Sequence, residues 1–328
     1  MKHGKDTGTN NIQATTAELT LSDHWDHFKA RVGIQRMKHL VEPGLYALGE
    51  PGAESPVLVT ANYTLSFDAL RSQLRGIDAY ILVLDTKGIN VWCAAGKGTF
   101  GTDELVHQIK GVKLAEVVNH RVLVLPQLGA PGVAAHEVKQ RSGFRVKYGP
   151  VEASDVPAYL NQGEATPEMR RVSFPLRARA DLIGVEFFLY LLPLVLVWIV
   201  TRSPEAVIAT LAGLVLFPLL LPVLPTRDFS TKGFLLGIIV VLPLVVWRVT
   251  APSEAPLWHR AGIAAGSLLA FPPLTAFLSL NFTGSTTFTS KSGVQREVFS
   301  YFRPMVWMFV SGVLALTALV LVRLLGGL

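Results

Sequence analysis

The sequence is poor in cysteine, because Cys93 is the single one among 328 residues. A lone cysteine excludes an internal disulfide, a CxxC redox pair and an iron–sulfur cluster held by cysteines of this chain alone. A soft metal ligand, a nucleophile and an inert buried thiol remain. A nucleophile needs a base close by, and residues 88–101 (GINVWCAAGKGTFG) contain no histidine. Their small residues would let the backbone approach a large flat partner, which favours the ligand role.

Common nucleotide and protease motifs are also missing. Residues 95–99 (AGKGT) look briefly like a P-loop, but Val91 and Gly98 occupy the positions where that motif needs its first glycine and its Ser or Thr. Neither a GxGxxG after the first predicted strand nor an HExxH occurs. The net charge of +6 comes without a basic stripe, so nucleic acid is not an expected partner.

Charged residues are scarce in the second half, where long apolar runs replace them. A helix that spans a bilayer needs about 20 mostly apolar residues. The sequence therefore predicts five transmembrane helices within residues 182–328, at about 182–200, 206–224, 233–249, 261–280 and 304–325. Glu186 is the one ionisable candidate at membrane depth, so an anchoring and docking role is favoured over transport.

The flanking charges predict an orientation. Residues 1–20 are polar and contain no apolar signal-peptide core, so the globular half is expected to remain in the cytoplasm. Cytoplasmic loops carry an excess of Lys and Arg. The cations on that side are Arg170, Arg171, Arg177, Arg179, Arg227, Lys232, Lys291, Arg296 and Arg303, against Arg202, Arg248, Arg260 and Arg323 on the other. We expect a multi-pass protein of the cytoplasmic (inner) membrane with its C-terminus outside.

Residues 21–165 are predicted to form a cytoplasmic globular domain between a disordered tail (1–20) and a linker (166–181). A helix is expected at Trp25–Leu40, followed by alternating strands and helices. The predicted strands are 56–60, 79–84, 121–125 and 144–147, and the predicted helices are 66–74, 103–109 with Thr102 as N-cap, and 133–140. This repetition predicts an α/β fold, a Rossmann-like parallel sheet covered by helices and followed by the all-α membrane domain.

Ligands of such sheets bind beyond the carboxyl ends of the strands. Three segments follow predicted strand ends, namely 60–64, 85–101 and 126–132. Because the carboxyl ends of parallel strands lie at one edge, these segments are expected to meet there and to include Cys93.

One segment carries a specific resemblance. Residues 90–97 (NVWCAAGK) closely resemble the cap-helix signature of the corrinoid protein family of microbial mercury methylation. The similarity extends to residues 43–49 (PGLYALG), to 57–63 (VLVTANY) and to a membrane domain of five spans. The globular domain also resembles the corrinoid-binding domain of the soluble corrinoid iron–sulfur protein of acetyl-CoA synthesis, which lacks both the cap cysteine and the membrane domain.

The resemblance implies a cobalamin-type corrinoid bound base-off, with Cys93 as the axial cobalt ligand and the catalytic residue. The absence of a DxHxxG pattern, which supplies a histidine ligand in other corrinoid proteins, agrees with this. A thiolate trans to a cobalt–methyl bond should weaken that bond and favour transfer to a soft electrophile. The further expected cofactor-binding residues are Thr60, Asn62, Ser66, Asn90, Val91, Trp92, Ala94, Ala95, Gly96, Lys97, Gln127, Leu128 and Gly129.

The implied activity is a corrinoid-dependent methyltransferase of anaerobic one-carbon metabolism that passes a methyl group from cobalt to Hg(II), producing methylmercury. The implied partners are a small ferredoxin with two 4Fe–4S clusters, a methyl donor protein or methyl-tetrahydrofolate, and membrane lipid. Two alternatives stay open. The protein is a corrinoid methyl carrier for another metal(loid) or one-carbon acceptor, or it is a non-catalytic membrane corrinoid or thiol sensor.

A hydroxyl-rich loop at residues 281–293 lies on the predicted cytoplasmic side, with Lys291, Arg296 and Arg303 in or beyond it. This loop is either a solvated connector or a docking surface. In the second case its cations would steer an acidic ferredoxin, an effect that weakens with salt.

Overall fold

The computed structural model describes residues 12–35, 38–284, 286 and 291–326. These residues divide into two compact units. The globular unit comprises the described residues up to Ala30 together with Ile34–Ser173, and the helical unit comprises Arg31–Gly33 and Phe174–Leu328. The change of unit at 173–174 falls inside the predicted linker, and the first helix of the helical unit begins at Leu176, within that linker.

A six-stranded sheet forms the centre of the globular unit. Its strands are β1 (Ile12–Thr15), β2 (Gly44–Leu48), β3 (Val57–Ala61), β4 (Ala79–Leu84), β5 (Val122–Leu125) and β6 (Arg145–Tyr148). Their order is β1-β2-β4-β3-β5-β6, and every neighbouring pair is parallel except β2 and β4. The α/β class is confirmed, but the sheet is mixed and not purely parallel. Strands β1 and β2, which were not predicted, extend the sheet beyond β4, and β2 pairs antiparallel with β4.

Among the described residues, seven α-helices accompany this sheet. They are α1 (Leu21–Arg31), α2 (Thr64–Gln73), α3 (Val91–Lys97), α4 (Thr102–Gly111), α5 (Leu114–Val117), α6 (Ala135–Ser142) and α7 (Val156–Gln162). Because alternate strand residues face opposite sides, the sheet has two cores. Val59 and Leu82 pack with buried residues of α3, α4 and α6, whereas Leu58 and Ile81 pack with those of α2. Strands β3, β4 and β5 contribute residues to both cores and therefore lie between two helical layers.

The predicted disordered tail is wrong for residues 12–15, which form β1 and pair with β2. A tertiary contact explains their order. The Arg71 guanidinium donates hydrogen bonds to the carbonyl oxygens of Thr16, at 2.7 Å, and Glu18, at 2.8 Å, and pairs with Asp23 at 3.0 Å. A buried arginine on α2 therefore anchors the polar segment that follows β1. Residues 1–11 of the predicted tail lie outside the described residues.

Two helix predictions also need correction. Helix α1 spans Leu21–Arg31 and not Trp25–Leu40, because Gly33 at φ 79° and Gln35 at φ 52° take left-handed backbone conformations that end it. Thr102 does not cap α4, whose N-cap is Gly101. The Thr102 hydroxyl instead accepts a hydrogen bond from the Ala134 amide at 2.8 Å, and so connects α4 to the start of α6.

The helical unit contains α8 (Leu176–Thr201), α9 (Pro204–Leu211), α10 (Phe217–Leu220), α11 (Phe229–Thr250), α12 (Leu257–Leu280) and α13 (Lys291–Gly326), with a π-helical turn at Ala212–Leu216 between α9 and α10. Among the described residues, three helical segments are long and apolar enough to cross a membrane: Phe229–Thr250, Leu257–Gly284 and Ser292–Leu325. The first predicted span lies in α8, where the apolar stretch found is the shorter Glu186–Leu196, and the second lies in the shorter apolar segment Pro204–Leu220.

The predicted loop before the last span differs from the structure. Asn281–Gly284 form a 3₁₀ turn, and α13 already begins at Lys291. Arg296 and Arg303 therefore belong to a helix and not to a loop. Residues 285 and 287–290 of the hydroxyl-rich segment lie outside the described residues, so its docking role stays a prediction.

Candidate functional site

Helix α3 carries Cys93 and starts directly after a loop beyond the carboxyl end of β4. Asn90 is its N-cap, with extended backbone at φ −61° and ψ 160°, and the Asn90 Oδ1 accepts a hydrogen bond from the Cys93 amide at 2.9 Å. The helix ends at Gly98, whose φ of 84° is left-handed. Two local signals, an asparagine cap and a glycine stop, thus fix a short helix with the thiol in its first turn.

The two sides of α3 differ in burial. Val91, Ala94 and Ala95 are buried, as expected for positions i, i+3 and i+4 that face a core. Cys93 is half-buried, whereas Gly96 and Lys97, three and four residues further along, are exposed. The same spacing rule puts Cys93, Gly96 and Lys97 on one face, which we call the outer face of α3. A Cβ atom added at Gly96 would meet nothing within 4 Å, so this face is open beside the thiol.

The buried side chain of Asn62 holds the loop before α3 in place. Asn62 follows β3, and its Oδ1 accepts hydrogen bonds from the amides of Thr86, at 3.1 Å, and Gly88, at 3.0 Å. The Thr86 hydroxyl lies 2.9 Å from the same oxygen. The Asn62 Nδ2 donates to Asp85 Oδ1 at 3.2 Å. Through these hydrogen bonds Asn62 positions the loop before α3, and its predicted contact with a cofactor stays a prediction.

Asp85 holds the same loop in place from the side of α4. Its amide donates to Glu104 Oε1 at 2.8 Å, and its carboxylate pairs with Lys87. Burial raises the pKa of Asp85, but the hydrogen bonds and positive charge of Lys87 outweigh burial and hold the pKa below its ordinary value. Residues 85–88 belong to the predicted segment 85–101 but not to the predicted site residues, and they fix the direction in which the chain enters α3. Their position directly after a buried strand was the available signal.

Helix α3 lies where the order of the strands reverses. Strand β3 is followed along the chain by its neighbour β4 on one side, and the chain then crosses to β5 on the other side. Helix α3 packs against β3 and against a 3₁₀ turn, Gln127–Gly129, that follows β5. Open α/β sheets bind their ligands at this kind of switch point. The expectation that the three predicted segments meet there agrees with this packing.

Glycines let the segment after β5 approach α3 closely. A Cβ at Gly132 would lie 2.2 Å from the Phe100 carbonyl oxygen and 2.9 Å from Ala95 Cα. A Cβ at Gly129 would lie 2.5 Å from the Phe100 ring. Because backbone atoms stand in the way at Gly132, no side chain fits there without movement of the main chain.

The predicted site residues fall into groups. Thr60, Val91, Ala94 and Ala95 have buried side chains, and the last three belong to the core of the sheet, while Trp92 and Leu128 are half-buried. Ser66 lies in the first turn of α2, a different helix. Gln127 Oε1 is buried with no hydrogen-bond partner in the part of the chain that the structure describes. That part also contains no cluster of three or more His, Cys, Asp or Glu side chains that could hold a metal ion alone.

Sequence comparisons address the globular unit. Residues 35–160 match the family of the CO dehydrogenase/acetyl-CoA synthase delta subunit (CdhD). The globular unit is therefore related to the proteins of acetyl-CoA synthesis. Among individual relatives, the acetyl-CoA decarbonylase/synthase complex subunit gamma of Methanopyrus kandleri is 36% identical over 124 residues, which is 37% of this chain and 26% of that protein.

Two further gamma subunits agree. The one from Archaeoglobus fulgidus is 35% identical over 124 residues, again 37% of this chain and 26% of that protein. The one from Methanothermobacter thermautotrophicus is 34% identical over 129 residues, 39% of this chain and 28% of that protein. The chain thus spans about a quarter of the length of these relatives. The comparison agrees with the expected resemblance of the globular domain to a protein of acetyl-CoA synthesis, and it covers the unit that carries α3.

Proposed function

We propose that the globular unit binds a corrinoid on the outer face of α3, with Cys93 as the axial ligand of its cobalt. The observation that supports the proposal is the position of Cys93. Its thiol is half-buried, lies beside the open surface at Gly96, and belongs to a helix at the switch point of the sheet. The unit that contains this sheet matches a family of CO dehydrogenase/acetyl-CoA synthase subunits. The resemblance of residues 90–97 supplies the cofactor class, and the cysteine supplies a ligand that this chain presents at a single position.

The residues around α3 fit such a group. A flat macrocycle needs an open surface beside its ligand, and Gly96 leaves that surface free of side chains. A macrocycle with amide side chains also needs hydrogen-bond partners at its rim. Gln127 Oε1, buried without a partner among the described residues, is an acceptor of that kind. Cys93, Gly96 and Gln127 are therefore the residues that would hold the corrinoid.

When bound, a corrinoid supplies a cobalt centre that accepts and gives up a methyl group. The chain contributes the ligand and its position. The Cys93 thiolate is a strong soft donor, and residues 88–101 contain no histidine that could replace it as a ligand. A cysteine ligand would take the place of the corrinoid's own base, which is what base-off binding means. Asn90 fixes the Cys93 amide, and Asn62 fixes the loop that leads to it. These hydrogen bonds hold the ligand on a rigid element and not on a mobile loop.

We further propose that the methyl acceptor is Hg(II), so that the protein is a corrinoid-dependent methyltransferase that produces methylmercury. The resemblance of residues 90–97 and the preference of Hg(II) for soft ligands support this. A ferredoxin with two 4Fe–4S clusters would supply electrons, and methyl-tetrahydrofolate or a methyl donor protein would supply the methyl group. A second candidate acceptor is an intermediate of one-carbon metabolism, which the names of the relatives favour.

Substitution of Cys93 tests the ligand role. Cys93→Ala should shift the visible spectrum of the bound corrinoid and abolish methyl transfer, because alanine has no donor atom. Cys93→His should keep the corrinoid but transfer poorly, since imidazole is a weaker donor than thiolate. An unchanged spectrum and activity in Cys93→Ala would exclude the ligand role. Parallel assays of the wild-type protein with Hg(II) and with one-carbon acceptors identify the acceptor.

The location is part of the proposal. Three helical segments of membrane length support a membrane protein, and the distribution of Lys and Arg supports a cytoplasmic globular unit and an external C-terminus. Protease treatment of sealed, inside-out membrane vesicles should release the globular unit. If the globular unit were protected in these vesicles and released from right-side-out vesicles, it would lie outside the cell, and the proposed orientation would be wrong.

A further inference from the structure

The helical unit contains a cavity of about 800 Å³ between α8, α9, α11, α12 and α13. Most of its lining is apolar and includes Leu194, Phe271, Phe309 and Leu316. Small-molecule sites of proteins have this volume, about 300–1,000 Å³, and this mixture of a mainly apolar wall with a few polar groups. The cavity therefore suits a ligand with a long apolar part.

Two of the helix contacts beside the cavity are already too close to tighten further. A Cβ at Gly312 of α13 would lie 2.6 Å from the Ala270 amide nitrogen of α12. A Cβ at Gly213, in the π-helical turn, would lie 2.8 Å from Leu278 Cβ and 3.1 Å from the Thr275 carbonyl oxygen. Because α12 already touches both neighbours through glycines, the space beside these contacts is built into the packing.

The polar part of the lining includes an ion pair that the sequence analysis did not foresee. Glu205, which is 2% exposed, accepts a hydrogen bond from Arg248 Nε at 2.8 Å and another from the Ser203 hydroxyl at 2.9 Å. Glu186 had been the one ionisable group expected at membrane depth. The Glu205 carboxylate is neutralised by Arg248, so this pair adds no net charge to the cavity wall.

Arg202 adds one uncompensated positive charge to the same lining. It ends α8 with a left-handed φ of 49°, and its guanidinium lies 6.0 Å from the centre of the Trp198 ring. No carboxylate pairs with Arg202 in the described part of the chain. Basic groups between membrane helices attract the anionic headgroups of lipids. The cavity thus combines an apolar wall with a net positive charge.

We propose that this cavity is a binding site for a membrane phospholipid, with an acyl chain among α8, α12 and α13 and an anionic headgroup at Arg202. The proposal rests on the membrane location proposed above. The charge complementarity selects an anionic lipid over a neutral one, because Arg202 has no carboxylate of its own among the described residues. A lipid held in this way fills a space that the glycine contacts keep open.

The test uses the full-length protein in nanodiscs of equimolar phosphatidylglycerol and phosphatidylcholine. Native mass spectrometry measures which lipids stay bound after the bilayer is removed. The wild type should retain phosphatidylglycerol preferentially, and Arg202→Gln should lower this preference about fivefold, the effect expected for one cation near a membrane surface. Arg323→Gln is the matched control, since Arg323 is predicted on the same side but does not line the cavity.

A second variant tests the apolar wall. Val313→Trp places a large ring in the cavity and should reduce the retention of both lipids, with a circular dichroism spectrum like that of the wild type as the check on folding. Absence of retained lipid in the wild type would overturn the proposal, as would equal preference in the wild type and Arg202→Gln. Recovery of the protein in the soluble fraction without detergent would instead refute the membrane location.

Discussion

Gly96 offers the sharpest test of the site, because a substitution there should separate folding from cofactor binding. The residue lies on α3 three positions after Cys93, it is exposed, and an added Cβ would touch nothing within 4 Å. Gly96→Ala should therefore cause no strain in the protein without cofactor. Since alanine is the better helix former, the substitution should raise the free energy of unfolding by about 0.5–1 kcal/mol.

The same methyl group should oppose corrinoid binding. On the outer face of α3 it would stand between the helix and a flat ring whose metal is bound to Cys93. Overpacking of a close contact costs about 1–3 kcal/mol, which is roughly a 5- to 150-fold higher dissociation constant. Gly96→Leu keeps a good helix former and should weaken binding further, because its side chain is longer.

Two measurements on the purified full-length protein decide the matter. Cobalt content gives the amount of bound corrinoid, and thermal unfolding gives the stability of the cofactor-free protein. Gly111→Ala is the matched control, because Gly111 ends α4, is exposed, and also has nothing within 4 Å of an added Cβ. If Gly96→Leu bound corrinoid with wild-type affinity, the outer face of α3 would not be the binding surface.

Two further predictions concern the loop and the sheet. Asn62→Ala should lower the free energy of unfolding by about 2–4 kcal/mol, since it leaves the buried partners of the amide unpaired; denaturant unfolding checks this, and a loss no larger than that of the exposed Asn119→Ala would contradict it. Burial and the Glu42 carboxylate raise the pKa of Tyr46 to about 12. Because this pKa lies above the unfolded value of about 10, the resulting stabilisation should be complete below about pH 10 and lost as the pH rises to about 12. Tyr46→Phe should remove this part of the pH profile, and an unchanged profile would show that another group causes it.

The predicted elements that agree with the structure are those with a clear local pattern. The apolar runs of β3, β4 and β5 and the helical spacing of α2 and α4 lead to bounds within one or two residues of the predicted ones. Strands β1 and β2 were missed, because their order depends on pairing with each other and with β4. A backbone hydrogen bond between distant segments leaves no periodic signal in either segment.

The site divides in the same way. The sequence by itself determined the lone thiol and the glycines that follow it. The structure adds Asn90 as the N-cap of the helix, although cap and glycines alike act through local backbone geometry. Only the tertiary structure decided which predicted residues face outward. Burial directs Val91, Ala94 and Ala95 to the core. Hydrogen bonds to residues 85–88 make Asn62 a support of the loop before α3. Packing against distant elements decides such roles, and the amino-acid order does not show which neighbours a side chain will meet.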